Sequence, residues 1–211
     1  MYPISYEADY ARERDRLTTF FRLIVAIPWL IVGYIYITIA EIVAVIAWFA
    51  ILIVGRYPES LYNFNAGALR SVTRINAFAY LQTDAWPPFG FSPDPTYPVR
   101  LQIAPRAETQ SRVKAFFRLI LALPLLFVAY AIYAVHSGAG VLAWLTIVFR
   151  GYQPAGVHNA LAFVNAWHAR VFGYLLILRD EYPPVGDEPV QVGDIQGAGQ
   201  PALGGTPAAG Q

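Results

Sequence analysis

Residues 16–90 of the chain reappear as residues 112–186 at a constant offset and without a gap, with roughly a third of the aligned positions identical, a self-similarity that chance does not produce. The stretch RLTTFFRLIVAIPWL from Arg16 returns as RVKAFFRLILALPLL from Arg112, so that Arg22 pairs with Arg118 and Pro28 with Pro124. Further pairs are Tyr34 and Tyr130, Trp48 and Trp144, Gly55 and Gly151, Pro58 and Pro154, Arg74 and Arg170, and Asp84 and Asp180. Each unit closes on a Pro-Pro, at Pro87 and Pro88 and at Pro183 and Pro184. Whatever this chain folds into must therefore accommodate one design twice. Just ahead of each unit, YPISYEA from Tyr2 and YPVRLQI from Tyr97 alternate polar and apolar residues as half-buried strands do. Two such strands can pair with each other, each covering an edge of the other.

Composition decides what surrounds the repeats. The 211 residues are 56% hydrophobic and 14% charged, with a mean hydropathy of +0.42, against about 25% charge in a typical soluble domain. This is the composition of a membrane protein. In repeat one, residues 20–39 hold about enough apolar length to span a bilayer, and residues 42–54 form a shorter run beyond Ala40 and Glu41. In repeat two the arms are residues 116–135 and 141–149, separated by HSGAG from His136. The expected fold is thus a mainly α membrane protein of two tandem repeats. Each repeat has a short β-strand, a transmembrane helical hairpin and an amphipathic helix, giving four transmembrane helices that enter from one side, with re-entrant hairpins as the rival geometry. The predicted organisation is repeat one over 1–95 (hairpin about 18–55, amphipathic helix about 60–83) and repeat two over 96–186 (hairpin about 114–150, amphipathic helix about 155–179). A Gly/Ala/Pro-rich tail follows over 187–211.

If both hairpins cross, every Lys and Arg falls on one side, and the hairpin tips carry only Glu41 and His136. The positive-inside rule then gives a multi-pass membrane protein with both termini cytosolic. The N-terminal MYPISYEADYARERDR has no basic region followed by an apolar core, so the first apolar segment is expected to stay in the mature protein. A formal net charge of +1 argues against nucleic acid as a partner, and the absence of cysteine excludes a thiolate metal site, a disulfide framework and a cysteine nucleophile.

Arg22 and Arg118 lie about two residues inside the apolar boundary, where an arginine can reach back to the headgroups as a simple anchor. With Arg16, Arg112 and Lys114 they could instead form a basic collar for anionic lipid. A third reading pairs them with Asp84 and Asp180 as a lock in each copy. Pro28 and Pro124 each remove a helix hydrogen bond and are expected to kink their helices. Trp48 and Trp144 read as packing wedges, and Trp86 and Tyr182 as interface aromatics. Glu41 reads as a wetted turn residue. His158 and His168 are ten residues apart, on different helix faces, and no carboxylate completes a ligand set, so no metal and no cofactor is expected. No nucleophile elbow, phosphate loop or dinucleotide fingerprint is present in the sequence.

Arg-x-x-x-Phe-Phe-Arg-Leu-Ile-x-Ala-x-Pro, then Ala-Trp-Phe-x-Ile-x-x-x-Gly-Arg-Tyr-Pro, then Asp-x-x-Pro-Pro-Phe, resembles an uncharacterised bacterial membrane family, common in actinobacteria, known as domain of unknown function 4389. The likeness covers essentially residues 1–186 in two copies; repeat two departs at Tyr152, Gln153 and Val185. It implies an integral membrane protein and carries no activity over. The expected function is non-enzymatic: an accessory or scaffold subunit bound to membrane lipids, anionic ones in particular, and to other membrane-protein subunits through its cytosolic face and tail. The alternative is a lipid-binding or small-solute transport protein with a site between the hairpins.

Overall fold

A computed structural model describes residues 2–186 and 191–194. In chain order the elements are β1 (Ile4–Tyr10), α1 (Arg16–Phe20), α2 (Arg22–Val54), α3 (Glu59–Ala79), β2 (Val99–Ile103), α4 (Arg112–Arg150), α5 (Ala155–Leu175) and β3 (Gln191–Asp194). The two apolar hairpins do not form. Each is one unbroken helix, of 33 residues in α2 and 39 in α4. The physical reason is that nothing at Ala40 and Glu41 stops a helix, since both residue types favour it. In repeat two Gly140 stays helical because Tyr80 lies 3.4 Å from where its Cβ would be, and packing of that kind outweighs a glycine's weak propensity. Termination waits for Gly55 at φ 76° and Gly151 at φ 78°, whose left-handed backbone glycine adopts at least cost. Four expected spans thus become two helices long and apolar enough to cross a membrane, among the described residues.

The return leg of each unit is the following helix. α3 runs back along α2, bringing Ile75 to Gly33 and Phe78 to Arg22, and α5 runs back along α4, bringing Leu161 to Ala143 and Tyr174 to Arg118. Both return helices end earlier than expected, at Ala79 and Leu175. In each case a left-handed residue, Leu81 or Ile177, turns the chain. The N–H of Gln82 then donates to the carbonyl of Ala77 at 2.8 Å, and that of Leu178 to Gly173 at 2.9 Å, which satisfies carbonyls the helix end would leave open.

β1 and β2 pair antiparallel, with Ile4 opposite Ile103, Tyr6 opposite Leu101 and Ala8 opposite Val99. β3 adds in parallel to the other edge of β1, giving the order β2-β1-β3 among the described residues. It falls within the predicted tail; residues 187–190 and 195–211 lie outside the described residues. Ile4, Tyr6 and Ala8 point inward and are buried, while Glu7 and Asp9 point outward, where Arg100 donates to both, at 3.1 and 2.9 Å. Beneath the sheet lie α3 and α5, with Ile4 seated in a notch at Gly173 beside Leu69. Beneath those lie α2 and α4, which pack closely on α3 and α5 because they present small residues inward: Ala26, Gly33, Ala40, Ala44 and Ala47 in α2, and Ala122, Ala139 and Ala143 in α4.

The repeats are antiparallel, not side by side as expected for hairpins entering from one face. Gly55, ending α2, abuts Arg112 at the start of α4, and Gly151, ending α4, abuts Arg16 at the start of α1. The N–H of Gln110 donates to Gly55 at 3.0 Å, and the N–H of its repeat equivalent Arg14 donates to Gly151 at 3.1 Å. A small gap between α3 and α5 is lined by Leu69, Val72, Thr73 and Asn76 and by their equivalents Asn165, His168, Ala169 and Phe172. A pseudo-twofold axis therefore passes between α3 and α5, perpendicular to the layers, and maps both helix layers and the β1–β2 pair onto themselves; among the described residues β3 has no counterpart.

Candidate functional site

Arg22 and Arg118 are 1% and 2% exposed, and each meets the aspartate of its own repeat. Arg118 donates to Asp180 at 2.8 Å and to the carbonyls of Tyr174 and Arg179 at 2.5 and 2.9 Å, with its guanidinium over the Tyr174 ring. Arg22 donates to Asp84 and lies over Phe78. The second carboxylate oxygen of each aspartate accepts a backbone N–H from the residue that caps the first helix of the same repeat: Asp15 at 3.2 Å from Asp84, and Ser111 at 2.8 Å from Asp180. Asp15 in turn accepts from Thr18, and Ser111 from Lys114. Each Arg-Asp pair thus joins the start of a long helix, the end of its return helix and an N-cap.

The remaining basic residues considered from sequence are exposed and do not form one ring. Arg16 lies at the end of the helix layer where α4 terminates, near Arg150; Arg112 and Lys114 lie at the opposite end, near Gly55 and Arg56. Pro28 and Pro124 are exposed within α2 and α4, which continue through them. Trp48 donates to the Ala115 carbonyl at 2.8 Å, and Trp144 sits against Phe20 with ring centroids 6.1 Å apart. Trp86 and Tyr182 are exposed beside the Pro-Pro segments.

Between these ends the outer surface of α2 and α4 is apolar. Ile27, Ile31 and Ile46 on α2 and Leu123, Phe127 and Phe149 on α4 are each at least half exposed. Glu41 is the lone charged residue between Arg22 and Val54, and none falls between Arg118 and Arg150. Two helices of about 50 Å and 60 Å at 1.5 Å per residue present on the order of 1,000 Å² of such surface, well beyond the few hundred usual on a soluble monomer.

Two hollows open in this layer. One, of about 390 Å³, lies between α2 at Glu41, Ala44, Val45, Trp48 and Phe49, the first turns of α4, and the end of α5. The other, of about 490 Å³, lies along α4 from Leu126 to His136; Tyr80 also lines it, and the two hollows share Phe172 and Leu175. Tyr80 stacks on His136 at 3.6 Å, and His136 lies 5.5 Å from His168. This aromatic cluster was not anticipated from sequence. Its signal lay in the differences between copies, since His136 and Tyr80 replace Ala40 and Leu176.

Under the sheet a second polar group is buried. Tyr6 and Asn165 both donate to the Gln82 side-chain oxygen at 2.5 Å, and Arg14 donates to the Gln82 carbonyl and to Gln153. His158 beside them is pushed down to about 4, by burial first and by the Arg14 charge second. Among the described residues no three His, Cys, Asp or Glu side chains gather as metal ligands would. The cluster ties β1, the end of α3 and α5 together.

The sequence profile of a family described as a domain of unknown function, DUF4389, matches residues 16–91 and 112–186. The chain belongs to that family, in two copies. Each DUF4389 copy spans a long helix, its return helix and the Pro-Pro segment, and includes its own Arg-Asp pair. All three strands lie outside both matched stretches: β1 and β2 each precede a copy, and β3 follows the second. No curated protein and no solved structure matches the chain.

Proposed function

We propose that the protein is a non-enzymatic membrane component whose α2–α4 layer lies in the plane of one leaflet, with its apolar face against the acyl chains and its sheet in water. The observation that carries this reading is that α3, α5 and the sheet run alongside α2 and α4 at the same level. A bilayer crossed by α2 would enclose the sheet and its outward Glu7, Asp9 and Arg100, which a hydrocarbon core does not tolerate. The helices are also about 50–60 Å long, against a hydrocarbon thickness of about 30 Å. Laid flat, they need not match it. In-plane seating brings both basic ends, Arg16 with Arg150 and Arg112 with Lys114, to one headgroup level, where anionic lipid attracts them. The pseudo-axis then stands along the membrane normal.

On this reading the sheet-bearing side faces the cytosol and is the side through which the protein acts as an accessory or scaffold subunit of a larger membrane assembly. The seating is tested with single cysteines at Ile27, Ile42 and Ile53, spin-labelled in vesicles of phosphatidylcholine and phosphatidylglycerol. Equal immersion depth is expected at all three positions. A profile that passes from one headgroup region to the other along α2 overturns it, and self-association without vesicle binding would assign the apolar face to a second copy. Mild-detergent purification from native membranes tests the scaffold role; a clean monomer sinks it.

A further inference from the structure

We propose that the cavity between α2, the first turns of α4 and the end of α5 holds one acyl chain of a leaflet phospholipid, a binding site that rests on the in-plane seating. Its volume of about 390 Å³ falls in the range of about 300–1,000 Å³ usual for ligand sites. Its wall is almost wholly apolar, formed by Ala44, Val45, Trp48, Phe49, Leu119 and Phe172. Val45, Phe49 and Leu119 are also exposed on the outer face of the helix layer, so the opening gives onto the leaflet and not onto water. A hollow of this lining does not hold water well, and in a leaflet the available filler is a chain. Arg118 lines the cavity with its guanidinium already committed to Asp180 and two carbonyls. The charge available to a phosphate is the exposed Lys114, about 8 Å back along α4 from Leu119 by helix rise.

The duplication supplies an internal control. In the other copy the corresponding positions carry larger rings: Tyr80 stands at the position of Leu176 and stacks on His136, which stands at the position of Ala40. Tyr80 also packs on Gly140, the equivalent of Ala44, within 3.4 Å of where a Cβ would lie. On this proposal the two rings narrow one site, where an alanine and a leucine leave its twin open.

The test uses the whole protein in phosphatidylcholine vesicles containing a phosphatidylglycerol with a diazirine in mid-chain. After photolysis, label mapped by peptide mass spectrometry should be several-fold higher at Val45 and Phe49 than at the equally exposed Ile27 and Ile31. Leu176→Tyr should reduce that excess several-fold while the protein still floats with vesicles, and Tyr80→Leu should create a new labelled site near Gly140 and Val141. Uniform labelling of the wild type along α2, with flotation intact, overturns the cavity. So does an excess that Leu176→Tyr leaves unchanged. Loss of flotation in the wild type overturns the seating instead. If Leu176→Tyr does not fold, Val45→Trp at the rim and the wild-type contrast decide the matter.

Discussion

Arg118 and Asp180 meet at 2.8 Å where α4 begins and α5 has just ended, and Arg22 and Asp84 make the same junction in the other half. The guanidinium is almost fully buried and the carboxylate about one-fifth exposed. Removing one partner of a buried pair strands the other charge. Asp180→Ala should therefore destabilise by about 2 kcal/mol, below the fully buried range because water reaches the aspartate. Asp180→Asn should cost less, since an amide oxygen still accepts from Arg118. Arg118→Lys should not restore the wild-type stability, because an ammonium cannot serve the carboxylate and two carbonyls with the same planar fork. Denaturant unfolding of the three variants checks the order.

Gly55 and Gly151 end the long helices in left-handed backbone. Alanine at either position should cost about 1 kcal/mol from backbone conformation alone. Gly151→Ala should cost more than Gly55→Ala, because its new Cβ would come 2.8 Å from the Arg16 guanidinium, against 3.2 Å from Arg112. Asparagine, which tolerates this conformation better, should recover part of the loss in both. Thermal unfolding midpoints distinguish these outcomes.

Gly173 is the notch for Ile4, whose Cδ1 would lie 2.2 Å from an added Cβ. Gly173→Ala should destabilise by about 1–3 kcal/mol through overpacking. Ile4→Val in the same chain should relieve part of this by withdrawing the methyl, so the two changes should be less damaging together than their separate costs imply. A double-mutant cycle measures that coupling.

His158 is fully buried and its folded value, about 4, lies below the ordinary 6.5. As pH falls through this interval the unfolded chain takes up a proton that the folded site refuses, so stability falls from about pH 6.5 toward 4 and this group adds no further loss below. The full effect is on the order of 3 kcal/mol. His168, lowered by burial, acts in the same direction. His158→Gln should flatten the curve in this window while leaving stability at pH 8 nearly independent of pH.

The duplication and the two strand segments were legible because identical residues at a fixed offset, and alternation at Ile4, Tyr6 and Ala8, are properties of the string itself. So was the possible link from Arg22 to Asp84, since both recur in register. The break expected at Ala40 and Glu41 was not there to read: hydropathy reports a change of polarity, not a change of chain direction, and neither residue interrupts helical hydrogen bonding. What seats α2 past that point is the run of buried Ala40, Ala44 and Ala47 against its neighbours, whose purpose is visible only when the neighbours are in place. The stack of Tyr80 on His136 was not legible in this way, because neither residue recurs at its repeat position, where Leu176 and Ala40 stand.

The clasps at Gly55 and Gly151 are exchanged: each half finishes its long helix against the segment that introduces the other. A chain carrying a single copy of this unit would leave that terminus, one side of its return helix and one strand edge without their counterparts. A second identical chain, placed by the same twofold, would supply all three at once. The tandem protein is in this sense a homodimer written into one polypeptide, whose halves are free to differ, as they do at Tyr80 and Leu176. A chain carrying one copy of this unit should accordingly be an obligate dimer with two equivalent halves.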